Sequence, residues 1–144
     1  MPPPRGYFEK VRDITTRHKI LLISDEVVCG FGRLGSPFGC TAYAFEPDLM
    51  TMAKAITSSY APMGAVAIAP HVANVLAQGS ESSLFGHGYT FGAHPVSCAV
   101  ALECLRIFKE DNLEANVASR ARELLAGLKA VAQTSPIAGA ACGA

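Results

Sequence analysis

The hydrophobic positions of the chain follow two patterns, one typical of buried strands and the other of amphipathic helices. Unbroken apolar runs predict strands covered on both faces; they lie at residues 19–24, 49–53 and 63–69. Apolar residues at helical spacing predict helices over residues 7–18, 96–109 and 113–132, the last capped by Asp111 or Asn112. A helix followed by a buried strand is the repeat of an α/β fold.

The connections between the predicted strands indicate their directions. Residues 54–62 join the second strand to the third, and this connection is too short for the right-handed helical crossover that parallel strands need. We therefore expect a mostly parallel sheet flanked by helices, in which the third strand is antiparallel to the second.

Two charged residues stand where predicted strands end. Asp25 closes the first apolar run and Lys54 follows the second. An Asp after a strand often caps the next element, and a Lys in a connection is usually solvated. Ligands of parallel sheets, however, gather outside the carboxyl ends of the strands. A carboxylate and an amine at that edge suit pyridoxal phosphate, whose aldehyde condenses with a lysine and whose ring nitrogen pairs with an acid.

Two glycine-rich segments predict irregular loops. Gly30, Gly32 and Gly35 fall close together after Asp25, which indicates close backbone approaches. Residues 85–95 combine glycines with aromatic residues in a way that core packing does not explain. We expect this second loop to approach a ligand or a partner subunit.

Composition and charge narrow the function classes. The 144 residues are 50% hydrophobic and 17% charged, which suits one globular domain with a core. Twelve basic and twelve acidic residues cancel without a basic cluster, so we expect no nucleic-acid and no membrane partner. No apolar stretch approaches the roughly 20 residues of a membrane helix, and we expect a cytoplasmic location. The five cysteines form no CxxC pair, so we expect neither a disulfide framework nor a metal site.

Three blocks of sequence resemble the class III, omega-type aminotransferases, which bind pyridoxal phosphate on the fold type I scaffold. The first block is SDEVVCGFGR at residues 24–33. The second runs from PDL at residues 47–49 to AKAITSSYAPMGAV at residues 53–66. The third is HGYTFGAHP at residues 87–95. The resemblance spans residues 3–137 in the family's order. Within the first block, the sequence DEVVCGFG favours the family members that use omega-amines.

The resemblance implies a role for four residues. Lys54 is the lysine that condenses with the cofactor and moves the substrate's proton, and Asp25 is the partner of the pyridine nitrogen. Val27 packs against one face of the ring. Thr90 binds the phosphate of the cofactor held by the other subunit. The implied reaction is amino-group transfer from an amine or omega-amino acid to a keto acid such as pyruvate, by a homodimer.

The chain also departs from the family pattern. Ala55 stands where the family commonly has a glycine. Residues 138–144 do not match the glycine-containing strand with which the family typically continues. We therefore expect a fragment, incomplete at both ends and inactive alone. Residues 1–110 are expected to be part of the large, pyridoxal-phosphate-binding domain, and residues 111–144 the start of the small C-terminal domain. Two alternatives remain open: a non-catalytic remnant that only dimerises, or a fragment of a pyridoxal-phosphate-dependent aminomutase or decarboxylase.

Overall fold

The computed structural model describes residues 2–79 and 85–143, and it shows a small mixed sheet surrounded by helices. Its elements in chain order are α1 (Tyr7–Arg17), β1 (Ile23–Asp25), α2 (Gly39–Ala42), β2 (Leu49–Met52), a 3₁₀ turn (Lys54–Ile56), β3 (Ala65–Ile68), α3 (Pro70–Ala77), α4 (Pro95–Glu110) and α5 (Leu113–Thr134). No helix among these residues combines the length and the apolar character needed to cross a membrane.

The sheet has the order β1-β2-β3, with β2 in the centre. β1 pairs with β2 in parallel, with Ile23 opposite Leu49 and Asp25 opposite Thr51. β3 runs antiparallel to β2, with Leu49 opposite Ile68. The predicted direction of the third strand is therefore confirmed. The three long predicted helices are also confirmed, to within about two residues at each end.

The first strand is shorter than the apolar run predicted. The run was expected to be a strand over residues 19–24, but β1 begins at Ile23 and includes Asp25. The backbone of the preceding residues is bonded elsewhere. The N–H of Ile20 donates to the carbonyl of Thr15 at 2.8 Å, and the N–H of Leu22 donates to Asp48 Oδ2 at 2.7 Å. These bonds hold the segment to α1 and to the start of β2.

The expectation that the first strand is covered on both faces is wrong for the described residues. Ile20, Leu21 and Ile23 are each more than half exposed. β1 lies at the edge of the sheet, and the helices described leave much of its apolar surface open. The buried apolar side chains lie instead at Cys40, Ile56 and Ala101, where α2, the 3₁₀ turn and α4 meet the loops.

The cap of α5 is one of the two residues expected. Asn112 occupies the N-cap with a left-handed backbone at φ 48°, while Asp111 ends α4. The Asn112 side chain makes no capping hydrogen bond. Asparagine tolerates the left-handed conformation better than most residues. Its role here is therefore to turn the chain from α4 into α5.

Candidate active site

Asp25 presents one free carboxylate oxygen at the carboxyl end of β1. Its Oδ1 accepts hydrogen bonds from the Val27 N–H at 3.0 Å and from Thr51 Oγ1 at 3.1 Å. Two donors fill the lone pairs of Oδ1. Within residues 2–79 and 85–143 no hydrogen bond reaches Oδ2, and Asp25 is exposed. The carboxylate is thus fixed through one oxygen and open to a ligand through the other.

Lys54 begins the 3₁₀ turn that follows β2, in a strained backbone conformation. Its φ of 48° lies in the left-handed region, which costs a residue other than glycine on the order of 1–2 kcal/mol. Lys54 is exposed, and no carboxylate of the described residues forms an ion pair with it. Strain of this kind is concentrated at functional sites. Lys54 therefore offers an amine available to a ligand.

Buried residues hold this strained turn in place. Ile56 and Thr57 are only 7% and 2% exposed. Thr57 Oγ1 donates a hydrogen bond to the carbonyl of Ala61 at 2.6 Å, which closes the loop after the turn. Helix α4 packs against the 3₁₀ turn from the other side. The backbone of Lys54 is therefore fixed by packing although its side chain is exposed.

The sheet places Asp25 and Lys54 at the same end of its strands. Asp25 lies opposite Thr51 in the parallel register, and Lys54 follows Thr51 by three residues. Both residues thus stand at the carboxyl ends of adjacent parallel strands, where α/β proteins bind ligands. The arrangement combines a hydrogen-bond-accepting carboxylate with a nucleophilic amine.

Val27 and Thr90, the other two residues expected at the site, differ in their surroundings. Val27 is half-buried and is joined to Asp25 through its own N–H. Thr90 is exposed, in a turn five residues before the start of α4. No hydrogen bond among the described residues connects Thr90 to the other three. The role of Val27 against a ring and that of Thr90 toward a phosphate stay predictions.

A mostly apolar cavity of about 1040 Å³ lies beside the end of β2. Its lining consists of Met52, residues 60–66 with the start of β3, and parts of residues 87–98 with the start of α4. Asp25, Val27, Lys54 and Thr90 do not line it. Among residues 2–79 and 85–143, no carboxylate and no lysine lines the cavity. The carboxylate of Asp25 and the amine of Lys54 stand instead at the strand ends.

Glu26 is a buried residue of the site whose role the sequence did not reveal. It is only 1% exposed. Its carboxylate accepts the N–H groups of Gly39 and Cys40, both at 2.7 Å, and the hydroxyl of Ser24 at 3.0 Å. It thereby caps α2, since those N–H groups begin that helix. The partners are 13 and 14 residues away in the chain, so no local sequence signal could have identified this cap.

Glu26 and its buried surroundings also affect the protonation of the neighbouring Cys40 thiol. Burial, followed by the negative charge of Glu26, raises the pKa of Cys40 above its ordinary value. The thiol therefore stays protonated at neutral pH and behaves as a small apolar side chain. All five cysteines are free.

The donor set at the strand ends fits pyridoxal phosphate, the cofactor that the sequence resemblance implies. The amine of Lys54 can condense with an aldehyde. Asp25 Oδ2, to which no described residue donates a hydrogen bond, can accept the N–H of a protonated pyridine. A carboxylate so placed favours the protonated ring by its opposite charge.

Comparisons with known proteins agree with this chemistry. Residues 1–140 match the family described as aminotransferase class-III. The chain is 50% identical, over 140 residues, to the chloroplastic gamma aminobutyrate transaminase 3 of Solanum lycopersicum, covering 96% of this chain and 27% of that protein. The chain therefore spans little more than a quarter of that relative's length.

Two solved structures share the fold. An (S)-enantioselective omega-transaminase from Thermomicrobium roseum has a TM-score of 0.87 at 42% identity, over 92% of this chain and 29% of that one. An amine transaminase from an uncultivated Pseudomonas species, in its PLP-bound form, has a TM-score of 0.88 at 39% identity, over 91% of this chain and 30% of that one. The α/β unit described above is thus part of the fold type I scaffold.

Proposed function

The chain belongs to the class III aminotransferase family, and from this premise we propose that it carries the lysine and the acid of a pyridoxal-phosphate-dependent transaminase. The observation that supports the proposal most is the geometry of the strand ends. Asp25 holds one carboxylate oxygen free at the edge of the sheet where Lys54 presents an exposed amine. A ring nitrogen and an aldehyde on one cofactor would find both partners there.

The two residues take different parts in the reaction. Pyridoxal phosphate, when bound, supplies an aldehyde for the amine and a ring that withdraws electrons from the reacting carbon. Asp25 Oδ2 accepts the ring N–H and keeps the nitrogen protonated through its negative charge. Lys54 Nζ, as a neutral amine, takes the proton from the amine-bearing carbon of the substrate and later gives it up.

The proposed substrates are an amine or omega-amino acid as donor and a keto acid as acceptor. The names of the similar proteins support this class, since they are a gamma aminobutyrate transaminase and two amine or omega-transaminases. An aminomutase or a decarboxylase could use the same lysine and acid. Amine transfer that depends on an added keto acid, measured in a longer protein containing this segment, distinguishes a transaminase from both.

We further propose that the protein acts as a homodimer, with Thr90 binding the phosphate held by the partner subunit. The exposed aromatic side chains beside Thr90 support this, because Tyr89 is 79% and Phe91 is 78% exposed. Exposed aromatic surface of this kind is typical of an interface. The turn also stands before the N-terminus of α4, where phosphates bind well. Sedimentation equilibrium that finds only monomers would contradict this assembly.

A cytoplasmic location is likewise a proposal. It rests on the absence of a long apolar stretch and of basic clusters in the sequence. Fractionation of cells that express the native gene, followed by detection of the protein in each fraction, tests it. Recovery with an organelle fraction would contradict it.

The site assignment is tested by chemical trapping. The chain is incubated with pyridoxal phosphate, reduced with borohydride and digested, and the labelled peptides are identified by mass spectrometry. We expect the label on Lys54, and its loss from that peptide in Lys54→Ala. Lys109→Ala, in the last turn of α4, is a matched control that should keep the label. Label confined to other lysines would show that the assignment is wrong.

A further inference from the structure

Thr51 makes a side-chain contact with the acid of the proposed site from the neighbouring strand. Its Oγ1 lies 3.1 Å from Asp25 Oδ1, to which it donates a hydrogen bond. The two residues are direct partners in the parallel register of β1 and β2. The contact therefore follows from the pairing of the strands and does not depend on a mobile loop.

The backbone of Thr51 is held on both sides, so its hydroxyl has a defined position. Thr51 lies in the central strand and pairs with Val66 of β3 on the other side. Its carbonyl accepts the N–H of Glu26 at 2.9 Å, which fastens the residue directly after Asp25. A β-branched side chain in a strand also has few χ1 rotamers. Thr51 is thus a rigid support for Asp25.

The hydroxyl helps to fix the direction in which the free carboxylate oxygen points. Oδ1 receives two donors, Thr51 Oγ1 and the Val27 N–H, and these occupy its two lone pairs. The bond from the Val27 N–H is local, between residues i and i+2, as in an Asx turn. Without Thr51 that local bond alone would hold the side chain, and the carboxylate could turn about χ1 and χ2.

We propose that Thr51 is a positioning residue that fixes the side-chain rotamer of Asp25, so that the carboxylate oxygen left without a donor faces the pyridine nitrogen. This inference rests on the proposed function of Asp25. It assigns to Thr51 no contact with the cofactor. Its effect on the reaction passes entirely through the orientation of the carboxylate.

The first test needs no cofactor. NMR couplings that report χ1 of Asp25 are measured in the wild type and in Thr51→Val, Thr51→Ala and Thr51→Ser. We expect a single rotamer in the wild type and in Thr51→Ser, which keeps the hydroxyl, and averaged couplings in Thr51→Val and Thr51→Ala. Thr134→Val, which removes a hydroxyl bonded only within α5, is the control and should leave the couplings unchanged. A single unchanged rotamer in both Thr51→Val and Thr51→Ala overturns the inference.

The second test measures the bound cofactor. We expect Thr51→Val to weaken pyridoxal phosphate binding about fivefold to tenfold, since a hydrogen bond to a charged group is lost. The visible absorption of the bound cofactor should also change its pH dependence, and Thr51→Ser should restore both. Equal affinity and an unchanged pH profile in Thr51→Val would contradict the inference. Failure of the wild type to bind at Lys54 would instead contradict the proposed function, and the rotamer measurement then still decides the role of Thr51.

Discussion

Asp48 is a second buried carboxylate, and it lies at the opposite end of the sheet from Asp25. It is 5% exposed and directly precedes β2. Arg12 Nη1 donates to its Oδ2 at 2.8 Å, the Leu22 N–H donates to the same oxygen at 2.7 Å, and His71 Nε2 lies 3.1 Å from Oδ1. The Arg12 hydrogen bond, followed by the Leu22 N–H, holds the pKa of Asp48 below its ordinary value.

This pKa direction predicts how acid affects stability. The unfolded chain binds a proton at Asp48 at a higher pH than the folded chain does, so the contribution is full above about pH 4 to 5 and is lost as the pH falls through the folded pKa. We expect Asp48→Asn to lower the free energy of unfolding by roughly 2 kcal/mol at pH 7. Denaturant titrations over pH 2 to 7 should show this difference shrink toward the acid end.

A control tests the contribution of His71, one of the three partners of Asp48. The His71 side chain is 62% exposed, so His71→Gln should cost less than about 1 kcal/mol at any of these pH values. A difference between the wild type and Asp48→Asn that is constant down to pH 2 would contradict the assigned pKa direction.

At the scale of single residues, the sequence predicted the groups that stand at strand ends and missed the groups that support them. Asp25 and Lys54 could be identified because each directly follows an apolar run. Glu26, Asp48 and Thr51 act on partners 13 to 36 residues away in the chain. Those contacts depend on strand register and loop closure, which the hydrophobic pattern alone does not specify.

At the scale of elements, the glycine-rich loop after β1 fits closely against the two long helices. A side chain at Gly32 would overlap the ring of Phe108 in α4, and one at Gly35 would lie 3.2 Å from the Cβ of Ala118 in α5. Gly32 also has a φ of 92°, which L-residues rarely adopt. The loop therefore needs glycine both for its backbone and for its contact with α4.

The close contact at Gly32 and the open surroundings of Gly127 predict opposite effects on stability for Gly→Ala substitutions at the two positions. Gly32→Ala should lower the free energy of unfolding by roughly 2 kcal/mol or more, through backbone strain and overlap with Phe108. Gly127→Ala, within α5 and with no atom beyond the local helix backbone within 4 Å of the added carbon, should raise it by about 1 kcal/mol through helix propensity. Chemical denaturation of both variants measures these changes. Stabilisation by Gly32→Ala would show that the loop does not pack as described.

The pattern of hydrophobic residues predicted the long helices well and the short helices poorly. α1, α4 and α5 carry periodicity over at least three turns, which is enough to show a helical pattern. α2 has only four residues and depends on Glu26 for its cap, and the eight residues of α3 were not predicted. Tertiary contacts rather than local preference account for α2.

At the scale of the whole molecule, the two ends of the sheet serve different purposes. The carboxyl ends of β1 and β2 carry Asp25 and Lys54, which are exposed and open to a ligand. The opposite end carries the buried Asp48 with Arg12 and His71 beside it. Substitutions at Asp48 should therefore change stability without changing the chemistry of the site. This separation allows the ligand-binding and folding roles to be tested independently.

In the proposed site, Asp25 and Lys54 act on one cofactor. The direct measurement is the ¹⁵N NMR signal of ring-labelled pyridoxal phosphate trapped on Lys54, compared between the wild type and Asp25→Asn. We predict a protonated ring nitrogen in the wild type and an unprotonated one in Asp25→Asn, because the amide lacks the negative charge that favours the pyridinium. The same ring-nitrogen signal in both proteins would show that Asp25 and Lys54 do not act on one cofactor.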